Sequence, residues 1–154
     1  MKMKKSRYEF SINLICVASL VFITLHLILS WNNLSDKVPG HYNAQGVVDR
    51  WASKGELIIL PIISWIMYLG LTIIEQFPSI WNTSVKVSKD NQISVYSATK
   101  NMLLTLKLIL VLNFVYLTLN SIMGTDLWAW HLPLLMILTF GTIIYFLVKL
   151  NRLK

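Results

Sequence analysis

Four apolar stretches constrain this chain more than any other feature of its sequence. Each is close to the roughly 20 residues that an α-helix needs to cross a lipid bilayer. They comprise residues 10–31, 57–77, 102–122 and 130–148. Because 55% of the 154 residues are hydrophobic and 14% are charged, a water-soluble fold of this size could not bury the apolar surface. The sequence predicts an all-α membrane protein, a single four-helix transmembrane domain over residues 1–154.

Two details of the first stretch bear on processing and on covalent links. Its apolar run is longer than the core of a cleaved signal peptide, and no A-x-A-like site follows it, so we expect a retained helix. Cys16 is the single cysteine of the sequence, which excludes a disulfide within the chain. We expect Cys16 to be a small core or lipid-facing residue.

The distribution of Lys and Arg predicts the orientation, because cytoplasmic segments of membrane proteins carry an excess of both. Three basic residues fall between the first two stretches or at their ends, namely Lys37, Arg50 and Lys54. Eleven fall on the other side if the Lys107 side chain extends to that surface: Lys2, Lys4, Lys5, Arg7, Lys86, Lys89, Lys100, Lys107, Lys149, Arg152 and Lys154. We therefore predict a plasma-membrane protein with cytoplasmic termini, an extracytoplasmic loop over 32–56 and a cytoplasmic loop over 79–101.

The net charge of +7 belongs to this same distribution. The basic residues flank membrane spans and form no basic-aromatic platform, so they indicate anionic lipid head groups as partners and not nucleic acid. Within the spans, Asn13 is expected to face the head groups. Asn113, Tyr116 and Asn120 share one helix face and are expected to form interhelical hydrogen bonds.

The predicted outer loop contains the densest set of turn-forming and chemically capable side chains. Pro39-Gly40 and Gln45-Gly46 predict two turns, which would bring the loop's donors and acceptors together. We expect Asp49 to orient the imidazole of His41. The candidate ligand-binding residues are His41, Tyr42, Asn43, Gly46, Asp49, Trp51 and Lys54.

Two further local patterns make structural predictions. Ser53 and Glu56 have the spacing of a capping box, which would start the second helix and give Glu56 a structural role. In the cytoplasmic loop, residues 84–88 and 93–97 alternate apolar and polar side chains, as a small hairpin would. A helix extending back from the third span through Tyr96 fits the same residues, and the sequence leaves both possibilities open.

The histidines raise an alternative function. His26, His41 and His131 are all predicted to lie at or near the outer surface, together with Asp36, Asp49 and Asp126. Imidazole and carboxylate groups are typical zinc ligands, although the sequence contains no local motif such as H-E-x-x-H. The metal content and the cofactor, if there is one, remain undefined by the sequence.

The loop resembles an uncharacterised bacterial membrane domain that also forms the N-terminal part of the sporulation-delaying-protein immunity family. The resemblance is carried by residues in the order Leu34, Val38-Pro39, His41-Tyr42-Asn43, Gly46, Asp49 and Ser53-Lys54. Ser35 and Ala52 stand where relatives often have proline and glycine. No counterpart of the Gly-x-Arg-Thr-Pro-like segment in the second half of the immunity proteins is present. The resemblance implies a plasma-membrane protein and, in some relatives, protection from a membrane-acting peptide toxin together with signalling.

The residues and the resemblance together predict a non-enzymatic multi-pass membrane protein whose outer loop recognises a peptide or an envelope ligand. Its partners would be the lipid bilayer and a peptide toxin or another membrane protein. The alternative is a membrane-embedded metal-dependent enzyme or metal carrier that uses the outer His and Asp residues. A third possibility is a subunit stabilised by larger partners through its polar helix faces.

Overall fold

Four long helices dominate the computed structural model, which describes residues 6–153. They are α1 (Arg7–Ser30), α2 (Ile59–Ile74), α3 (Gln92–Met123) and α4 (His131–Asn151). With the short 3-10 turns that adjoin α1 and α2, all four are long and apolar enough to cross a membrane. The predicted four-span architecture is confirmed, so this is a multi-pass membrane protein in contact with lipid. The charges counted at Lys2, Lys4, Lys5 and Lys154 lie outside the described residues.

The segment between α1 and α2 contains a β-hairpin, which corrects the all-α prediction. Strand β1 (Lys37–Tyr42) pairs antiparallel with strand β2 (Val48–Ser53). The predicted turn at Pro39-Gly40 is wrong, because both residues lie inside β1. Proline is tolerated there because each strand of a two-stranded sheet is an edge strand. The turn at Gln45-Gly46 is present, and Gly46 adopts the left-handed φ of +81° that favours glycine.

Helix α3 is central, and α1, α2 and α4 all pack against it. The main apolar core lies where α1, α2 and α3 meet. It consists of Ile12, Cys16, Leu20, Ile23, Tyr68, Leu104, Val111 and Val115. Cys16 is fully buried in this core, as expected of a small apolar residue.

The two possibilities left open for the second loop are now resolved. Helix α3 begins at Gln92, so residues 93–97 are helical and do not form a strand. The described segment 78–91 contains the short 3-10 helix Pro78–Ile80 and otherwise irregular backbone. Val95 and Ala98, three positions apart, pack next to Leu150 of α4, whereas Ile93 is exposed, and this spacing is that of a helix face and not of a strand.

Lys107 is the clearest error of the sequence analysis. Its side chain does not extend to the surface but is completely buried, and its ammonium lies 2.9 Å and 3.0 Å from the two carboxylate oxygens of Glu75. The same ammonium donates to Asn13 Oδ1 at 2.8 Å and to Thr72 Oγ1 at 3.1 Å. One cation therefore joins α1, α3 and the end of α2, and its three hydrogen bonds satisfy all of its donors.

A second buried ion pair lies about two helical turns before Lys107 on α3. Lys100 Nζ lies 2.8 Å from Glu9 Oε2, and both side chains are almost entirely buried. Asn13 connects the two pairs, because its side-chain amide donates to the Glu9 carbonyl while its oxygen accepts from Lys107. The prediction that Asn13 faces the head groups is therefore wrong, since the polar groups of neighbouring helices satisfy it inside the protein.

Candidate functional site

The hairpin is anchored over one end of the helices by an apolar cluster and by hydrogen bonds. Leu34 and Val38 pack with Leu27 of α1 and with Leu57. At the tip, the Val48 amide donates to Asp126 Oδ1 at 2.7 Å, and the Leu127 amide donates to the Gly46 carbonyl at 2.8 Å. The hairpin is thus an ordered part of the structure, held from both α1 and the segment between α3 and α4.

The start of α2 differs from the predicted capping box. Residues Lys54–Ile58 form a 3-10 helix, and the Ser53 side chain makes no capping hydrogen bond. The Glu56 carboxylate instead accepts from Arg50 Nη1 at 3.2 Å. The capping-box prediction is wrong because the tighter 3-10 turn replaces the first α-helical turn and Arg50, on the adjacent strand, takes the carboxylate.

A hydrogen-bonded acid and imidazole lie on the hairpin. His41 Nδ1 is 2.6 Å from Asp49 Oδ1, and the two side chains are 63% and 41% exposed. The contact predicted between Asp49 and His41 is therefore present. Next to it, Arg50 Nη2 donates to the Gly40 carbonyl at 2.9 Å, so the guanidinium connects β2, β1 and Glu56.

Beneath the hairpin lies a cavity of about 640 Å³, a volume within the range of small-molecule sites. Its mouth is polar and includes His41, Asn43, Arg50 and Glu56. Its walls are mainly aliphatic. They include Leu57, Ile59, Leu60, Leu117, Leu127, Leu132 and Leu135. The arrangement is amphipathic, with charges at one end and hydrocarbon along the sides.

Neutral polar groups line the deeper part of the cavity. His131 Nε2 lies 3.0 Å from Asn113 Oδ1, and Tyr116 packs against the His131 ring at 4.7 Å between centroids. Nearer the hairpin, the Tyr42 hydroxyl lies 3.2 Å from Ser121 Oγ. Burial raises the pKa of the Tyr42 phenol, and the hydrogen bond to Ser121 partly opposes that shift. Tyr42 is therefore a neutral hydrogen-bonding group at physiological pH.

The predicted site residues divide into three groups: those that line the cavity, those that hold the hairpin in place, and those that lie away from the cavity. His41, Tyr42 and Asn43 line the cavity, while Gly46 and Asp49 hold the hairpin and the His41 ring in place. Asn43 also shapes the turn, because its side-chain oxygen accepts from the amides of residues 45 and 47.

Trp51 and Lys54 are not brought to the cavity. Trp51 is exposed on β2. Lys54 Nζ lies 3.6 Å from Asp36 Oδ1 and 5.8 Å from the centre of the Trp31 ring. Both residues face away because alternate side chains of a strand point to opposite sides and the capped helix start expected to return Lys54 does not form.

The three histidines are not assembled into one site. His41 and His131 line the cavity, whereas His26 stacks on Phe22 of its own helix at 5.8 Å between ring centroids. Within residues 6–153, no three His, Cys, Asp or Glu side chains are close enough to hold a metal ion together. The predicted topology placed the three histidines on the same side of the membrane. In the structure each contacts different residues, so they do not form one site.

The sequence analysis missed the aliphatic walls of the cavity. Leu57, Leu60, Leu117 and Leu135 have no chemical signature that separates them from lipid-facing leucines. A usable signal was present on α3 and α4, where Asn113 and His131 interrupt apolar segments. Such intramembrane polar residues mark interior surfaces or cavities.

Comparison with known proteins finds two similarities, one of which covers the hairpin. Residues 14–64 match a family model described as Domain of unknown function (DUF1648). An uncharacterized protein of Archaeoglobus fulgidus is 35% identical over 79 residues, a match that covers 46% of this chain and 42% of the relative. The match thus spans less than half the length of that relative. No solved structure matches this chain.

Proposed function

We propose that this protein is a non-enzymatic plasma-membrane receptor that binds an amphipathic ligand of the cell envelope beneath its hairpin. The observation that carries the proposal is the cavity of about 640 Å³, with aliphatic walls and a charged mouth. Such a site suits a molecule with an apolar body and a polar end. The matched domain of residues 14–64 contains the hairpin and the beginning of α2, and so it contributes much of this site.

The polar groups around the cavity are positioned by one another. His41 is hydrogen-bonded to Asp49, His131 to Asn113, and Arg50 to Glu56. These contacts hold the polar side chains in fixed positions around the cavity, which gives a shaped and pre-organised binding surface.

The basic residues support an orientation with the hairpin outside the cell. Lys100 and Lys107 are engaged in buried ion pairs, so they are poor reporters of orientation. Removing them from the eleven predicted cytoplasmic charges leaves nine, against three at the hairpin end. The remaining excess still favours cytoplasmic termini.

Cysteine labelling tests that orientation. After Cys16→Ser, a cysteine at the exposed Gln45 should react with an impermeant thiol reagent in intact cells, and one at the exposed Asp90 should react only after lysis. Labelling of the Asp90 position alone in intact cells would place the hairpin in the cytoplasm and overturn an extracellular role.

The resemblance to the immunity family supports one of two biological roles, protection against a membrane-active peptide or sensing of the envelope. Cells producing the protein should survive an envelope-active peptide better than cells without it. His41→Ala and Asp49→Ala should each reduce survival, and the double variant should add little, because coupled residues are non-additive. Lys37→Ala, an exposed change on the same strand, is the control.

Immunoblots of the membrane fraction establish that all variants are present at similar levels. Wild-type survival of both single variants at normal levels would remove the His41–Asp49 pair from the site. Independent, additive losses would instead show that the two residues act separately.

A further inference from the structure

Helices α2 and α4 form the two long walls of the cavity and are separated from each other there. Ile59 and Leu60 form the α2 side, and Leu132 and Leu135 form the α4 side. Both helices pack against α3, whose residues Asn113, Leu117 and Ser121 lie between them. The cavity is therefore a gap between two neighbouring membrane helices, covered at one end by the hairpin.

The lining residues of α3 give the length of this gap. They run from Asn113 to Ser121, eight positions along one helix. At 1.5 Å per residue, the gap extends about 12 Å along the helix axis. It is therefore elongated parallel to the helices, as the hydrocarbon chain of a membrane lipid would be.

The side of the gap is open to the bilayer. Ile59 and Leu132, which line it, remain 51% and 41% exposed, and both belong to membrane-spanning helices. In such helices, exposed aliphatic surface faces lipid and not water. A molecule dissolved in the leaflet could enter sideways without crossing the aqueous phase.

The charges at the mouth indicate the head group. Arg50 and Glu56 both line the cavity, both are about half exposed, and they lie 3.2 Å apart. A guanidinium matches the geometry of a phosphate, and a carboxylate accepts hydrogen bonds from an ammonium. An anionic lipid would meet the Glu56 carboxylate next to Arg50, whereas a zwitterionic head group can satisfy both charges.

We infer that the cavity is a lateral binding site for a phospholipid with a zwitterionic head group that carries a primary ammonium. One acyl chain occupies the aliphatic gap between α2 and α4 while the other stays in the bilayer, the phosphate binds Arg50, and the ammonium binds Glu56. This inference rests on the proposed function, because it names the amphipathic ligand that the hairpin end recognises.

The test uses the full-length protein, purified in mild detergent and incubated with equal amounts of phosphatidylethanolamine, phosphatidylcholine and phosphatidylglycerol. Native mass spectrometry then counts the lipids that each chain retains. We expect one phosphatidylethanolamine per chain, ahead of phosphatidylcholine, whose quaternary ammonium has no N–H donor, and of anionic phosphatidylglycerol. Phosphatidylglycerol as the preferred lipid would overturn the head-group assignment.

Variants locate the bound lipid. Leu135→Trp fills the gap and should lower occupancy, while Leu134→Trp, an exposed neighbour on α4 outside the cavity lining, should not. Arg50→Gln should lower occupancy about tenfold, the effect expected when a charged hydrogen bond is lost. Lys37→Gln is its matched control. Leu117→Trp fills the gap from α3 and provides a second variant if Leu135→Trp does not fold.

The outcomes separate this inference from the proposed function. Equal lipid retention by the cavity variants and their controls would overturn the lipid assignment. If lipid retention were equal but Leu135→Trp abolished survival under peptide challenge, the cavity would bind a peptide and not a lipid, and the recognition function would stand. If neither lipid retention nor survival changed, both proposals would fail.

Discussion

Two acid–base pairs of this protein have similar geometry and opposite surroundings. His41 and Asp49 are 2.6 Å apart on the hairpin and are largely exposed, whereas Lys107 and Glu75 are 2.9 Å apart and 0% and 1% exposed. Exposed pairs typically contribute about 0–1 kcal/mol, because water and salt screen them. A buried pair costs several kcal/mol when one partner is removed, since the other charge stays uncompensated.

Under the proposed function, the difference assigns two separate roles within one small membrane domain. The buried pair holds α1, α2 and α3 in a fixed arrangement through Asn13, Thr72 and Glu75. The exposed pair stabilises little and instead keeps the His41 ring in one position at the mouth of the cavity. Stability and recognition should therefore respond to different substitutions.

The largest effect is expected at the buried pair. Glu75→Ala leaves the Lys107 ammonium without a counter-ion and should lower the free energy of unfolding by about 3–5 kcal/mol. Replacing both residues with leucine should recover most of that loss, since no buried charge remains. Asp90→Ala, an exposed acidic residue, is the control. Equilibrium unfolding in mixed micelles measures all three, and a Glu75→Ala protein as stable as Asp90→Ala would contradict the role assigned to the pair.

A smaller effect is expected at the hairpin turn. Gly46 has a φ of +81°, and a Cβ added there would lie 2.9 Å from the Leu127 carbonyl oxygen. Gly46→Ala should lower stability by at least about 1–2 kcal/mol, the cost of the left-handed conformation for an L-residue, because the contact with the Leu127 carbonyl adds to it. At Gly55 the nearest atom to an added Cβ is 3.8 Å away, so Gly55→Ala should be nearly neutral. Hydrogen exchange of the hairpin amides resolves the difference, and equal exchange in both variants would contradict this account of the turn.

The smallest effects concern two serines that precede helices. Ser6 Oγ accepts from the Glu9 amide at 3.0 Å, and Ser6→Ala should cost about 1 kcal/mol. Ser53 makes no capping bond, so Ser53→Ala should cost less than about 0.5 kcal/mol, below the usual range for a lost cap. Thermal unfolding of both variants checks this order, and a larger loss at Ser53 would restore the capping box predicted from the sequence.

The sequence predicts the parts of this structure that depend on composition and local pattern. The four spans follow from apolar length, the Gln45-Gly46 turn from glycine's freedom, and the contact between His41 and Asp49 from their places around that turn. These features depend on neighbours along the chain. They could be inferred without knowing which helices pack together.

The sequence fails where the outcome depends on partners distant along the chain. Lys107 could have extended toward water, and only the arrival of Glu75 and Asn13 from other helices makes burial favourable. The capping box fails for a different reason, because its competitor is local: Arg50 lies only six residues before Glu56 and takes the carboxylate once β2 ends in a 3-10 turn. The cavity also depends on partners distant along the chain. Its leucines can be told from lipid-facing leucines only once α2 and α4 are placed on the two sides of the gap.

The most direct test of this division is the free energy of unfolding of Asp49→Ala compared with that of Glu75→Ala, in the same membrane-mimetic preparation. Asp49→Ala should lie within about 1 kcal/mol of the wild type, because the pair it breaks is exposed. Glu75→Ala should lie well below both. If Asp49→Ala destabilised the protein as much as Glu75→Ala does, the hairpin pair would be a structural element, and its assignment to recognition would be contradicted.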